Sequence, residues 1–480
     1  MTSTGGPSTL TGMTLQAPQR ALPDQLDEGP GLLRLLRRSR RFRAGRDAVD
    51  VLSVLVVVVP VGIWLAQGGV AEFASPGTAL HTLGVLCGLV GTALLCEMLL
   101  LAARIPAVDH SIGHDRAILR HRKLNVSMIT LLTSHGVLLV LSTMTAASGG
   151  ILGELWMLAS VRDTALALAS IALFALVGFT SAAVVRLKLP RELWHLVHLA
   201  SYLAVLTAIP HQFSSGRVFA QGPARWYWAA VFLVCFVCLV RWRVLTPVIT
   251  SLAQRLVVSR VQHIAPDVTC IEMTGRRLDD LDVRAGQFLS FRFLGPRLWF
   301  HSHPFSVSSA VRGNRLRITV RALGRGTVAL QGVRVGTPVF VQGPYGIFGE
   351  RARSRTGLVL VGAGVGVAPI RALLEEAQVM PERTLVVLRA PRIEQLYLHD
   401  EIAHLCRARH VRLVTVVGHH ARGSWSSTSQ PRLSLADLAP WICESDVYVC
   451  GPEGFMDAVR ADARACGLPD GQFHDERFGL

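Results

Sequence analysis

The sequence predicts a multi-domain membrane protein: a six-helix transmembrane bundle, then a small antiparallel β-barrel, then a doubly wound α/β domain. Three observations carry that prediction. The 480 residues are 50% hydrophobic and only 17% charged, whereas soluble chains carry about a quarter charged residues. The apolar excess is confined to residues 49–240, in six runs. Beyond residue 243 the pattern changes to short alternating strands and then to a strand–helix alternation. This composition excludes a disordered or fibrous chain, and the length suits about three domains.

Residues 1–45 read as a disordered, basic tail, the first 30 rich in Thr, Ser, Gly and Pro and the remainder in arginine. No apolar core with a cleavage site opens the chain, so no signal peptide is expected. The transmembrane domain, residues 46–245, holds the apolar runs 49–66, 80–103, 124–146, 164–185, 193–209 and 226–240. Crossing a hydrocarbon core of about 30 Å takes ~20 helical residues, and most of the runs reach that length. The last two are short, which places Leu193, Trp226 and Trp228 at the interface. Loop charge orients the bundle. Seventeen Lys and Arg residues lie on one side, among them Arg34, Arg46, Arg104, Arg120, Arg186 and Arg241; only Arg162, Arg217 and Arg225 lie on the other. By the positive-inside rule both termini and everything after residue 241 are cytoplasmic, in a multi-pass protein of the plasma membrane. The net charge of +16 is therefore topological. It calls for no nucleic acid, and the lipid bilayer is the expected partner. The nine cysteines lack the spacing of a disulfide framework or a zinc ribbon. Cys235 and Cys238, inside an apolar run, read as small packing residues.

The third run's helix carries His121 and His135, fourteen residues apart, and the fifth carries His198 and His211, thirteen apart. An ionisable group at membrane depth is costly, so it faces the bundle interior and has a partner. Fourteen residues is close to four turns, so His121 and His135 share a face, ~21 Å apart along the axis. Pro210 can kink the fifth helix and re-aim His211. Helices three and five run in the same direction, which pairs His121 with His198 and His135 with His211. Two stacked bis-imidazole haem b sites follow, imidazole being a common haem ligand. Any one of these residues reads equally well as a neutral bundle histidine; two pairs at matching depth favour the metal. His195, one turn before His198, is an alternative ligand. His81 reads as an interface residue, and Glu97 with Arg104 as a charge pair at the inner interface.

Residues 250–352 hold strand patterns at 255–261, 287–293, 316–322 and 338–342, broken by Gly and Pro, as in a small antiparallel barrel. Residues 355–480 alternate strands at 357–361, 384–388, 411–417 and 446–450 with helices, the mark of a parallel doubly wound sheet. The turn after the first of these strands reads Gly362-Ala363-Gly364-Val365-Gly366-Val367-Ala368-Pro369. Glycines let the backbone approach a pyrophosphate, and the following helix N-terminus offers free N–H donors. Pro369 near the first turn costs no hydrogen bond. A tight structural turn would use the same residues; the strand–turn–helix context points to a nucleotide.

His303-Pro304-Phe305-Ser306-Val307-Ser308-Ser309 resembles the flavin-binding strand of ferredoxin-NADP reductase-type domains, in the His-Pro-Phe variant of NADPH oxidases and ferric reductases. Gly324-Arg325-Gly326-Thr327 resembles the segment that holds the FAD pyrophosphate in that family. Gly343-Pro344-Tyr345-Gly346, the glycine turn and Cys450-Gly451-Pro452 follow in the family's order. The ending His474-Asp475-Glu476-Arg477-Phe478 is similar to the family's C-terminal segment. The membrane part resembles the ferric-reductase transmembrane domain, so the likeness covers roughly residues 45–480. It implies that Ser306 hydrogen-bonds the flavin ring and that His303, Pro304 and Phe305 line its pocket. Gly324 and Thr327 would hold the FAD pyrophosphate. Gly362, Gly364, Gly366 and Pro369 would hold NADPH or NADH, with Cys450, Gly451 and Pro452 beside the nicotinamide. Phe478 would cover the flavin. Packing alone would also account for Phe305, Phe478 and the Cys450 thiol. Arg389, with Arg392 as its rival, stands where the family often binds a 2′-phosphate, although a plain surface arginine fits there too.

The implied activity is transmembrane electron transfer from cytoplasmic NAD(P)H through FAD and two haems to an outside acceptor. Ser306, Cys450, Glu476 and Phe478 would be the catalytic residues. A ferric chelate, dioxygen or an extracytoplasmic protein could accept the electrons. Eukaryotic oxidases of the family place a further histidine one turn beyond the outer ligand; Leu139 stands there, which favours the ferric chelate. No EF-hand loop and no Cys-x4-Cys-x2-Cys run occurs. A membrane-anchored flavoreductase whose helices bind no haem stays open as a different class.

Overall fold

The computed structural model describes residues 30–144, 150–214, 222–296, 298–420, 423–430 and 433–477. Helix α1 (Pro30–Ala66) begins well before the first apolar run. The arginine-rich stretch before residue 46 is therefore helical, a correction to the tail expected there; residues 1–29 lie outside the described residues. Ser75 caps α2 (Pro76–Ala102), accepting from Thr78 N at 3.3 Å while Ser75 N donates to Thr78 Oγ1 at 3.0 Å. The short α3 (Pro106–Ile112) and the long α4 (His114–Met144) are separated only by Gly113. Then come α5 (Gly150–Ser160), α6 (Arg162–Ser181), α7 (Ala183–Arg186), α8 (Arg191–Ser214) and α9 (Gly222–Cys238). A π-helical turn, Leu239–Leu245, joins α9 to α10 (Thr246–Gln254).

Six segments are long and apolar enough to cross a membrane: Phe42–Ala66, Gly77–Ala102, His114–Met144, Arg162–Ser181, Glu192–Ser214 and Ala224–Gln254. The last two exceed the runs read from sequence, because the helices continue through His211 and through Arg241 and Arg243. The domain boundary read at 245–250 accordingly falls inside a continuous helix. The apolar α5 was not foreseen. Exposed apolar side chains such as Val126, Phe179 and Phe236 are suited to lipid contact. Inside the bundle, Gly84, Gly88 and Gly91 of α2 lie against Leu139, His135 and Leu132 of α4. Small residues in that row let the two helices approach closely.

The next 90 residues form a six-stranded antiparallel sheet. Its strands are β1 (Leu256–Ala265), β2 (Val268–Thr274), β3 (Phe288–Phe293), β4 (His303–Ser306), β5 (Arg315–Arg321) and β6 (Pro338–Tyr345). They lie in the order β4-β3-β6-β1-β2-β5, with α11 (Arg325–Gln331) between β5 and β6. Val307, just past β4, bridges Ile318 of β5, so the two edges of the sheet meet.

A five-stranded parallel sheet follows, in the order β11-β10-β7-β8-β9. Its elements in chain order are β7 (Gly357–Ala363), α12 (Val367–Glu376), β8 (Thr384–Ala390), α13 (His399–Ala408), β9 (Arg412–Val417), α14 (Leu435–Leu438), β10 (Ser445–Cys450), α15 (Glu453–Ala465) and β11 (Phe473–Glu476). β7 and β8 are buried along their whole length, as a sheet covered on both faces requires. One apolar core runs from Phe291 and Ile318 of the first sheet to Leu360 and Leu388 of the second and Ile370 of α12. That shared core holds the two sheets at a fixed angle, and the site lies where they meet.

Candidate functional site

The parallel sheet winds outward from β7 to β9 and then returns to place β10 on the other side of β7. Ligands of such sheets bind outside the carboxyl ends of the strands at this switch point. Gly362 near the end of β7 and Cys450 at the end of β10 are register partners, and Cys450 is in turn opposite Glu476 of β11. Residues from three separate motifs thus stand in one row. A Cβ on Gly366 would lie 2.3 Å from the Cys450 carbonyl oxygen, so only glycine lets the turn rest on the end of β10. Gly364 faces open space but has φ +56°, which glycine adopts without strain. The turn leads directly into α12, with Pro369 buried in its first turn. The free N–H groups there suit a pyrophosphate. Gly451 and Pro452 lead into α15. Cys450 is fully buried, and burial, then the Glu476 and Asp475 charges, push its thiol well up. It therefore stays a neutral, polarisable contact rather than a nucleophile.

Arg389 does not serve as expected. It is buried, and its guanidinium donates to the Trp425, Ala390 and Val416 carbonyls. It holds its own sheet end together and has no exposed face for a phosphate. Arg392 is exposed.

Pairing of β3 with β4 sets Ser306 opposite Phe288. Ser306 Oγ donates to Glu476 Oε2 at 3.0 Å, joining the His-Pro-Phe-Ser strand to the last strand of the other sheet. Burial, then the Asp115 charge, push the Glu476 carboxyl well above its ordinary range, against the Ser306 hydrogen bond, which lowers it. Its Oε1 is buried with no hydrogen-bond partner among the described residues. Such an orphan calls for a ligand. Beside it Pro304 is exposed and Phe305 half-buried, with the His303 ring 6.1 Å away and nearly parallel to that of Phe305. A Cβ on Gly326 would lie 2.5 Å from His303 Cε1, so the two flavin motifs touch. Thr327 Oγ1 accepts from Leu323 N and Gly324 N at 2.9 and 3.0 Å, and Gly324 faces open space. An apolar shelf, an orphan carboxyl oxygen and an open glycine turn fit a flavin dinucleotide. Phe478 lies outside the described residues.

In the bundle, His121 Nδ1 is 3.2 Å from Met98 O and His135 Nδ1 is 2.8 Å from Gly84 O, both carbonyls of α2. A carbonyl only accepts, so each Nδ1 carries the proton and each Nε2 keeps its lone pair for a metal. A Cβ on Gly88 would lie 2.6 Å from His135 Nδ1, so this glycine gives the ring its place. The rings of His135 and His211 have centroids 6.4 Å apart. Two imidazoles bound on opposite sides of one metal at bonds of about 2 Å have centroids about 6 Å apart. The outer pair therefore fits an axial ligand pair. A cavity of about 280 Å³ surrounds it, lined among others by Thr92, Leu132, Leu139 and Phe174. At the inner level the His198 ring is stacked on Trp194, with centroids 5.1 Å apart. Its Nδ1 is buried with no partner among the described residues. His195 is exposed. Among the described residues no group of three or more His, Cys, Asp or Glu could hold a bare metal ion; a porphyrin iron needs only the two axial groups.

Other readings change. Glu97 pairs with Arg120 at 2.8 Å, not with Arg104, and Arg120 also reaches Asp50 at 2.7 Å. His81 is half-buried on the cavity wall. Arg104 turns to β6, donating to Gln342 Oε1 at 2.6 Å and Tyr345 OH at 3.2 Å. The sequence reading placed Arg104 in the charge count and in a pair with Glu97, and passed over His114, which stacks on Tyr345 at the same strand end, and Asp109, which holds His114. The one signal was Gly343-Pro344-Tyr345-Gly346, read as a flavin-family motif with no contact assigned.

Fold and site together define a flavin- and nicotinamide-binding reductase module built onto a membrane bundle. Residues 87–209 match the ferric reductase like transmembrane component, residues 255–348 an FAD-binding domain and residues 360–461 the oxidoreductase NAD-binding domain. The chain is thus a fusion of a ferric reductase-like transmembrane component with FAD- and NAD-binding domains. It is 28% identical over 207 residues to the ferredoxin reductase component of 3-ketosteroid-9-alpha-monooxygenase from Mycolicibacterium smegmatis, covering 42% of this chain and 57% of that one. It is 26% identical over 204 residues to a flavohemoprotein of Xylella fastidiosa, covering 41% and 51%. The chain thus spans about half the length of these curated relatives. The FAD/NAD-binding domain of a Vibrio cholerae nitric oxide dioxygenase superposes with a TM-score of 0.38 at 23% identity, covering 48% of this chain and 100% of that one.

Proposed function

We propose that this protein is an NAD(P)H-dependent transmembrane reductase that moves electrons from the cytoplasmic face of the plasma membrane to a ferric chelate outside. The observation that carries the reading is the outer histidine pair, 6.4 Å apart at the ring centroids, in the same chain that carries the nucleotide site. When bound, NAD(P)H supplies a hydride, FAD in the antiparallel barrel divides the pair into single electrons, and two haems b conduct them. The net reaction oxidises one NAD(P)H, reduces two ferric ions and releases one proton on the flavin side.

The chain's own residues order, insulate and handle protons. The Gly362–Gly366 turn and the α12 N-terminus hold the dinucleotide phosphates. Cys450, kept neutral, gives the nicotinamide an apolar bed. Ser306 donates to Glu476 Oε2, and the Glu476 carboxyl, pushed above its ordinary range by burial, would offer its orphan Oε1 to the flavin. His121 with His198, and His135 with His211, would hold the two haems, which would supply one-electron transfer across the bundle. Leu139 on the cavity wall leaves the outer site without the extra histidine of oxygen-reducing relatives, which supports the ferric chelate over dioxygen. The positive-inside asymmetry supports a cytoplasmic placement of the flavin and nucleotide domains.

The test is the absorption spectrum of the purified, dithionite-reduced protein. Low-spin haem bands should be present in the wild type and absent in the His121→Ala, His135→Ala double variant. A wild-type spectrum with flavin alone contradicts the conducting bundle and leaves a membrane-anchored flavoreductase.

A further inference from the structure

His114 opens α4, seven residues before His121 on the same helix. Seven residues is close to two turns, so the two rings share a face, ~10 Å apart along the axis. Unlike His121, His114 does not look into the bundle. Its ring is stacked on Tyr345 of β6, with centroids 4.8 Å apart and planes 23° apart, and stands 6.0 Å from Phe288 of β3. His114 is 6% and Asp109 2% exposed, and His114 Nδ1 is 3.2 Å from Asp109 Oδ1. Asp109 Oδ2 has no hydrogen-bond partner among the described residues.

On the far side of this stack is the Ser306–Glu476 pair, where the flavin would be held. Phe288 is the register partner of both Ser306 and Tyr345. Gly346, next after Tyr345, would bring a Cβ within 3.0 Å of Glu476 Oε1 and 3.2 Å of the Phe288 ring. A line of contacts therefore runs from α4, through the rings of His114, Tyr345 and Phe288, to the Ser306–Glu476 pair. Arg104 grips the same strand end from the turn between α2 and α3, with its guanidinium 5.1 Å from the centre of the Tyr345 ring.

From this we infer that the His114–Asp109 dyad is the positioning element that seats the bundle on the flavin domain and sets the separation between the flavin edge and the inner histidine pair. The inference rests on the proposed function. Asp109 fixes the imidazole, the imidazole fixes Tyr345, and α4 carries that placement to His121. A flat ring packed on Tyr345 performs the docking; the hydrogen bond to Asp109 orients it.

The test uses the full chain in vesicles and follows two rates after mixing with NADPH: bleaching of the flavin, and appearance of reduced haem. In His114→Ala, flavin reduction should keep its wild-type rate and haem reduction should slow on the order of tenfold or more, since small misplacements of reacting groups are that costly. His114→Phe keeps a flat ring and should recover most of the rate, whereas His114→Leu, apolar but without a ring, should not. If His114→Ala fails to retain flavin or haem, the Phe and Leu variants still decide. Wild-type haem reduction in His114→Leu overturns the inference and leaves the proposed function standing. A wild-type chain whose flavin is reduced but whose haem stays oxidised overturns both.

Discussion

Glu476 is the side chain where burial and chemistry oppose each other most openly. Its carboxyl is pushed well above the ordinary carboxylate range by burial, with Asp115 adding to the shift and Ser306 opposing it. In the folded chain it keeps a proton that the unfolded chain loses above about pH 4.3. The folded state then binds the extra proton, so this residue's contribution to stability is fully present below that pH and is lost as pH rises through the raised value. The difference in thermal midpoint between wild type and Glu476→Gln should therefore move in favour of the variant as pH increases from 5 to 8, as read by parallel melts across that range. A difference independent of pH would mean that the carboxyl is ionised in the fold. Glu476 was legible as part of a C-terminal motif, yet its partner was not, because Ser306 lies 170 positions away and the two meet only through packing of one sheet on the other. Arg389 shows the reverse: its position on the strand was legible, but the three carbonyls that absorb its guanidinium were not.

Among the elements, the turn between β7 and α12 shows how two glycines answer different demands. Gly366 is fixed by contact, its Cβ position lying 2.3 Å from the Cys450 carbonyl oxygen; Gly364 is fixed by its φ of +56° in open space. Gly366→Ala must part β10 from the turn, costing about 1–3 kcal/mol as overpacking does, and should weaken NADPH binding. Gly364→Ala meets no atom and should cost about 1–2 kcal/mol of left-handed strain, with a smaller loss of binding. Denaturant midpoints and NADPH titrations of the two variants separate these effects; equal losses of binding would contradict the close contact. The turn itself was readable because glycine spacing and a strand–helix alternation are local signals. The extent of the membrane helices was not, because apolar counting stops at a histidine or an arginine. Backbone hydrogen bonding carries the last span on to Gln254 and the fifth to Ser214.

At the scale of the whole molecule, the order bundle, antiparallel sheet, parallel sheet was legible from composition and period alone. What periodicity does not record is how the parts meet. Arg104 and His114 reach Gln342 and Tyr345 of the flavin domain through contacts more than 200 residues apart in sequence, and Asp109 holds His114. In the proposed function the nucleotide row, the Ser306–Glu476 pair and the two histidine levels form one route. The central claim is that this route carries electrons across the membrane. Its most direct test is NADPH oxidation by sealed vesicles, flavin and nucleotide domains outward, with a membrane-impermeant ferric chelate trapped inside. Ferrous ion should accumulate in the lumen at two per NADPH consumed, and the His135→Ala variant should abolish it while still reducing its flavin. Luminal iron that stays ferric while external NADPH is consumed would contradict the account.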